Sequence, residues 1–272
     1  MPKVTIPDDV VAESLEDYLK ATRRIRDEWA YDNKFWKPWF RGHACESWDL
    51  RPTLYRRDKK DLDEVLRDEE EFRLEFERRG LGNERIPGSD AEWYFLMQHY
   101  GAPTRLLDWT DGALMGLYFA VDHRFNKLDP DRKKDAAVWV LDPEWLNNQT
   151  IREKDDTEGV ALPEWEIVRD YLPEKFENKK MRRKYPLAID PTHIARRLAV
   201  QRSRFTIHGT VFDGLEEIAK RAKRPRLRKI VIARKAVQSI REDLETCGIS
   251  YSTLFPDLAG LGRELKRLWS AR

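Results

Sequence analysis

Residues 93–110 (WYFLMQHYGAPTRLLDWT) constrain the fold of this chain more than any other stretch. Trp93, Leu96, Met97 and Tyr100 recur at i, i+3, i+4 and i+7, which predicts a helix with one buried face. Gly101 and Pro103 end it, because glycine accepts left-handed backbone and proline cannot continue the ladder. Beyond that stop, Thr104, Arg105, Asp108 and Thr110 are threaded among Leu106, Leu107 and Trp109. Polar groups in such a run are costly to bury unless each finds a partner. On pattern alone, a buried Arg–Asp pair that fixes the fold is the favoured reading. A polar loop between two buried helices is also how a site is mounted on a rigid scaffold, so His99, Thr104, Arg105 and Asp108 form a candidate set.

The chain has 272 residues, 40% of them hydrophobic and 11% aromatic, enough for a substantial core. Charged residues reach 37%, yet 51 basic and 49 acidic side chains leave a net charge of only +2. This balance argues against an overall basic coat for nucleic acid and leaves room for a local patch. Two cysteines, Cys45 and Cys247, give no disulfide framework and fit a reducing cytosol. No apolar run has the length of a membrane span, and the first residues lack a signal layout. A cytoplasmic, soluble protein is expected.

Periodicity predicts a helix opened by Asp8 and Asp9 and running to about Trp29, with Val11, Leu15, Tyr18, Leu19, Ile25 and Trp29 inward. Residues 36–41 read as a strand closed by Gly42, and 50–55 as an extended continuation. Residues 61–79 return to helix, with Leu62, Val65, Leu66, Phe72 and Phe76 inward and a solvated acidic outer side. Residues 80–88 and 126–135 read as loops. Asp111 is placed to cap a helix carrying Leu114, Leu117, Tyr118, Val121 and Phe125. Residues 136–141 form a buried strand ended by Asp142-Pro143, and 204–210 and 229–234 are further strands. Helices over 235–246, stopped by Cys247-Gly248, and over 257–269 close the chain. The expected class is α+β, a small mixed sheet of about five strands surrounded by helices. Residues 1–35 form an N-terminal helix packed on a domain of 36–272, with a loop-rich insertion near 147–185.

Three segments carry candidate chemistry. Phe40-Arg41-Gly42-His43 sets a fork of donors at a strand end, beside a glycine that lets a ligand approach. Such a fork suits phosphate or carboxylate, although the tetrapeptide alone favours a buried ion pair. The central set is the second segment. In the third, residues 201–209, Gln201, Ser203 and His208 could line one side of a sheet, as could an ordinary edge strand. No metal is expected, since His43 and Cys45 lack a second pair at ligand spacing. There is no Gly-x-Ser-x-Gly elbow, no phosphate loop and no dinucleotide fingerprint. The run Lys220, Arg221, Lys223, Arg224, Arg226, Arg228 and Lys229, with residues 179–184 (KKMRRK), offers a backbone-neutralising surface for nucleic acid. A solvated loop is the commoner use of such a run.

With those residues in hand, the chain resembles the FRG-domain family. Phe40-Arg41-Gly42 matches its name motif, and residues 98–110 (QHYGAPTRLLDWT) match its most distinctive block, continued by 113–120. Residues 201–209 look like a third block and 254–261 like a C-terminal signature, so the resemblance spans about 36–268. The layout is also similar to that of ADP-ribosyltransferases, which cleave NAD in a split mixed sheet whose first strand often ends in Tyr/Phe-Arg-Gly. That similarity implies NAD as substrate and transferase or NAD glycohydrolase activity in a bacterial toxin or phage-defence effector. The implied NAD-binding set is Arg41, Gly42, Tyr100, Thr104, Arg105 and Thr110. Within it, Arg41 grips the pyrophosphate and Thr104 and Thr110 sit near the nicotinamide ribose. The implied catalytic set is Arg41, His99, Thr104, Asp108 and Gln201. The pattern departs at the third block, which offers Gln201 where a catalytic Glu is expected; Glu216 and Glu217 lie outside the strand. A nuclease or nucleic-acid binder, and a non-catalytic ligand-sensing module, are the alternatives; a protein acceptor or a neutralising protein is a further expected partner. All three readings turn on whether Arg41, His99, Thr104, Asp108 and Gln201 converge on one cleft.

Overall fold

The computed structural model describes residues 10–29, 37–56, 61–80, 87–122, 133–151, 158–173, 183–191 and 196–270. The predicted strand over 136–141 is buried at every position, so it must be covered on both faces. The rest of the architecture supplies those covers. In chain order the elements are β1 (Val10–Ala12), α1 (Leu15–Glu28), β2 (Trp39–His43), a 3-10 turn (Thr53–Tyr55), α2 (Leu62–Gly80), α3 (Asp90–His99), β3 (Leu106–Thr110) and α4 (Ala113–Asp122). There follow β4 (Ala136–Leu141), α5 (Pro143–Asn148), α6 (Glu166–Arg169), β5 (Leu187–Ile189), α7 (Arg196–Val200), β6 (Ser203–Ile207), α8 (Leu215–Lys220) and β7 (Leu227–Ile232). The 3-10 turn Arg234–Ala236 then leads into α9 (Val237–Thr246), α10 (Tyr251–Leu254) and α11 (Leu258–Ser270).

The α+β expectation holds, with a larger sheet than expected: among the described residues, seven strands in the order β1-β7-β4-β2-β3-β6-β5. Among the described strands, only the β1–β7 pair is parallel. Alternation along β4 assigns its side chains to two cores. Ala136, Val138 and Val140 join α1, α4 and α9 on one face, while Trp139 and Leu141 meet Leu146 of α5 and Leu215 and Ala219 of α8 on the other. A third cluster packs α3 and Tyr171 against Leu106, Phe205, Ile207 and Ile189.

Several expectations need correction. The first helix begins at Ser14, whose hydroxyl accepts from the Asp17 amide at 3.1 Å, and Val10–Ala12 is a strand instead. Three residues beside β7 read as helix because α1 continues directly from them. Val11 and Leu19 are exposed, and Ala21 joins Tyr18 and Ile25 inside. Residues 106–110, expected as a loop, form β3 in the middle of the sheet. Leu-Leu-Asp-Trp-Thr does not alternate because both faces of β3 are covered, and its burial pattern shows this. The 50–55 segment ends in a 3-10 turn, and the short strand β5 lies just beyond the region read as loop-rich. Trp36, residues 81–86, most of 126–135, Phe125 and residues 179–182 lie outside the described residues.

The acidic outer side of α2 is not all solvated. Glu69 is buried and accepts from the Arg105 backbone amide at 2.7 Å and from its Nε at 2.6 Å. Arg105 also donates Nη1 to the His208 carbonyl at 3.0 Å and Nη2 to the Tyr171 carbonyl. This arginine therefore ties α2, β3, the end of β6 and the segment after α6 together from inside the core. Breaking a buried pair strands the remaining charge. Glu69→Gln is expected to lower unfolding stability by ~3–5 kcal/mol, measured by urea titration; an unchanged midpoint would contradict this role.

Candidate functional site

Strands β2 and β3 are neighbours at the centre of the sheet, yet they pair only at Phe40 and Thr110. Beyond that pair they separate, β2 continuing along β4 through His43 and β3 along β6 back to Leu106. Arg41 bridges the gap: its Nη1 donates to the Asp108 backbone carbonyl at 2.7 Å. A side chain thus satisfies a carbonyl that a ladder partner would otherwise take. A cavity of about 250 Å³ opens at this split.

The polar groups at the split hold one another in place. Arg41 Nε donates to His43 Nε2 at 3.1 Å, so His43 carries its proton on Nδ1 and donates to the Trp48 carbonyl at 3.2 Å. The Thr104 hydroxyl donates to Gln98 Oε1, orienting that amide so that Nε2 donates to Asp108 Oδ2. Asp108 Oδ2 stands 3.7 Å from Arg41 Nη1, and the carboxylate remains 46% exposed toward the cavity while the guanidinium is only 16% exposed. Burial pushes the Arg41 guanidinium down to about 10, with Asp108 opposing, so it keeps its charge at neutral pH. Burial, with the charges of Arg41 and Arg56, holds the His43 imidazole well below its ordinary value and hence neutral. A neutral His43 is what its role as acceptor from Arg41 requires.

Of the residues nominated from sequence, Arg41, Gly42, His99, Asp108, Thr110, Gln201 and Ser203 line this cavity together. His99 reaches it from the last turn of α3 because Gly101, at φ +79°, closes the helix there. Thr110 is nearly buried, and its hydroxyl accepts from the Gly112 amide at 3.1 Å at the turn into α4. Asp111, expected as the cap of that helix, instead pairs with Arg202 and Arg204. Gln201 donates Nε2 to the Leu254 carbonyl at 3.1 Å, which brings the C-terminal segment to the cavity wall.

Three nominated binding residues do not line it. Arg105 is the core tie described above, with no surface to offer. Thr104 is fully buried behind Gln98, so it positions an amide and cannot touch a ribose. Tyr100 turns outward, packs 6.3 Å from Phe76, and borders a separate apolar groove between α2 and α3. His208 is likewise buried and faces Tyr55. Gly42 lines the cavity, but its missing side chain serves α4: a Cβ there would stand 2.3 Å from the Ala120 amide and from the Gly116 carbonyl.

Sequence reasoning gave no role to Gln98, Phe40, Trp109, Phe119 or Phe255, all of which line the cavity. Gln98 stood next to His99 in the same block; the three phenylalanines carried no polar signal. Phe119 and Phe255 meet edge to face at 6.4 Å, and Tyr251 stacks on Phe255 at 4.4 Å. One side of the cavity is therefore aromatic, and Arg41, Asp108, Gln98 and His99 supply a polar side.

The basic run is largely engaged elsewhere. Lys220 pairs with Glu217, Arg221 with Asp213 and Arg226 with Asp142, while Arg228 lies over Trp29 and Lys229 over Trp139. Lys223 and Arg224 are exposed. Among the described residues, no three His, Cys, Asp or Glu side chains are grouped to hold a metal ion, and no helix is long and apolar enough to cross a membrane.

Burial, with the charges of Arg105 and Arg41, pushes His208 down to about 3, and His43 is also lowered. The unfolded chain takes up these protons near pH 6.5, whereas the folded chain does not. Stability is therefore fully present above that pH and is lost as pH falls from about 6.5 toward 3. Urea midpoints measured across this window should fall with acidification, and His208→Phe should flatten the decline. A variant with the wild-type slope would contradict this assignment.

Residues 37–128 match the family model of the FRG domain, which takes in β2, α2, α3, β3 and α4 and leaves Gln201, Ser203 and Phe255 outside the matched range. No curated protein and no solved structure matches the chain.

Proposed function

The chain carries an FRG domain, and on that premise we propose that its cleft receives the nicotinamide end of NAD and cleaves the nicotinamide–ribose bond. The observation that carries this reading is the opening between β2 and β3, which sets an anchored guanidinium, Arg41, beside an oriented carboxylate, Asp108. A volume of about 250 Å³ suits one end of a dinucleotide rather than the whole molecule.

Arg41 has Nε and Nη1 committed to His43 and Asp108, and Nη2 makes no hydrogen bond among the described residues. That nitrogen is the donor for a phosphate oxygen of the substrate. The aromatic pair Phe119 and Phe255 offers faces for the nicotinamide ring. As the C1′–N bond breaks, its electron pair leaves with neutral nicotinamide and positive charge grows on the ribose. A carboxylate held in place by Gln98 stabilises that charge without reorganising. The hydroxyl of water or of an acceptor then bonds to C1′, and its proton passes to Asp108. Asp108 takes the place of the glutamate that the third block lacks, while Gln201 contacts the substrate from the opposite wall. The engagement of the basic run with acids and tryptophans favours this reading over a nucleic-acid surface.

Incubation with NAD, with nicotinamide release followed by chromatography, tests the proposal. Wild type is expected to release nicotinamide, and Asp108→Asn to slow release ~100-fold with an unchanged melting temperature. A wild-type protein that neither binds NAD in calorimetry nor releases nicotinamide, alone or with cell extract, would end this reading.

A further inference from the structure

Helix α11 is mounted the wrong way round for a surface helix. The side it turns to its own domain carries Gly260, Arg263, Glu264 and Arg267. A Cβ on Gly260 would stand 2.0 Å from the Phe255 carbonyl, so the helix backbone rests on that segment. Arg263 donates to the Tyr251 hydroxyl at 2.6 Å, Glu264 accepts from the Ser250 hydroxyl and the Ser252 amide, and Arg267 donates to Asp122 at 2.9 Å. Its opposite side carries Leu258, Leu261, Leu265, Leu268 and Trp269, which are 87%, 45%, 56%, 58% and 76% exposed. Ordinary amphipathic packing puts the apolar side inward.

We propose that α11 is a self-association helix, pairing through this leucine seam with α11 of a second copy of the chain. The leucines follow a 3-4-3 spacing, the a/d repeat of a two-helix seam. A two-fold partner presents the same leucines, so the seam complements itself. No charge lies within it. Glu264, at one flank, is held by Ser250 and Ser252, and Gly262, at the other, has open space where a side chain would stand. The five side chains expose on the order of 500 Å² of apolar surface, larger than isolated exposed leucines explain. A standard dimer buries about 800 Å² per partner, some two-thirds of it apolar, so the area suffices.

Sedimentation velocity on the full chain across a micromolar dilution series tests the proposal, with wild type expected at twice the chain mass. Leu265→Glu, and separately Trp269→Lys, should each shift the species to monomer at the same concentrations. Both positions are exposed, so the melting profile of the diluted monomer should be retained. A wild-type protein that stays monomeric throughout, because some other segment covers the seam, would overturn the inference. A dimer that survives both substitutions would overturn it equally.

Discussion

The hydrogen bond from Arg41 to the Asp108 carbonyl holds open a place where two central strands would otherwise have to separate at a cost. A parted sheet leaves backbone acceptors without partners, and in a covered interior each such group is expensive. Here a guanidinium meets that demand and carries a positive charge into the opening at the same time. The charge is tolerable because the neighbouring imidazole is neutral and accepting, and because a carboxylate stands nearby. Cleft, charge and hydrogen-bond chain are thus parts of one solution.

The two arginines of the motif-bearing segments illustrate how burial decides role. Arg105 has four protein acceptors enclosing it and is spent on the fold; its position between α2, β3 and the end of β6 stiffens the platform from which Asp108 projects. Arg41 has two of its three nitrogens, Nε and Nη1, engaged by protein acceptors. Similar chemistry in the sequence gives a tie in one case and a candidate ligand contact in the other. The difference lies in Glu69, which is separated from Arg105 by 36 residues.

Much of the cleft was legible in the sequence because its residues come from short, dense segments. Arg41, His99, Asp108 and Gln201 were nominated together, and the cavity gathers them. What could not be read was which neighbours in each segment face away. Thr104 and Tyr100 sit within five residues of His99, yet a helix stop between them sends one inward and one outward. β3 escaped notice because a strand covered on both faces loses the alternation that marks half-buried strands. The buried Glu69 was hidden among eleven other charged residues on α2, most of them solvated, where only a tertiary partner distinguishes it. The inverted mounting of the last helix was equally invisible: periodicity reveals an apolar side but not the direction it points.

The paired glycines on β2 and α4 have a geometric consequence. A Cβ on Gly116 would stand 2.6 Å from that of Phe40, and one on Gly42 would strike the Ala120 amide, so no side chain cushions strand from helix. At these two points backbone meets helix directly, so β2 and α4 sit closer than a layer of side chains would allow. Arg41 lies on β2 and Phe119 on α4, and Asp122 at the far end of α4 is gripped by Arg267. The closing helix is thereby joined, through Asp122, to the unit that carries both Arg41 and Phe119.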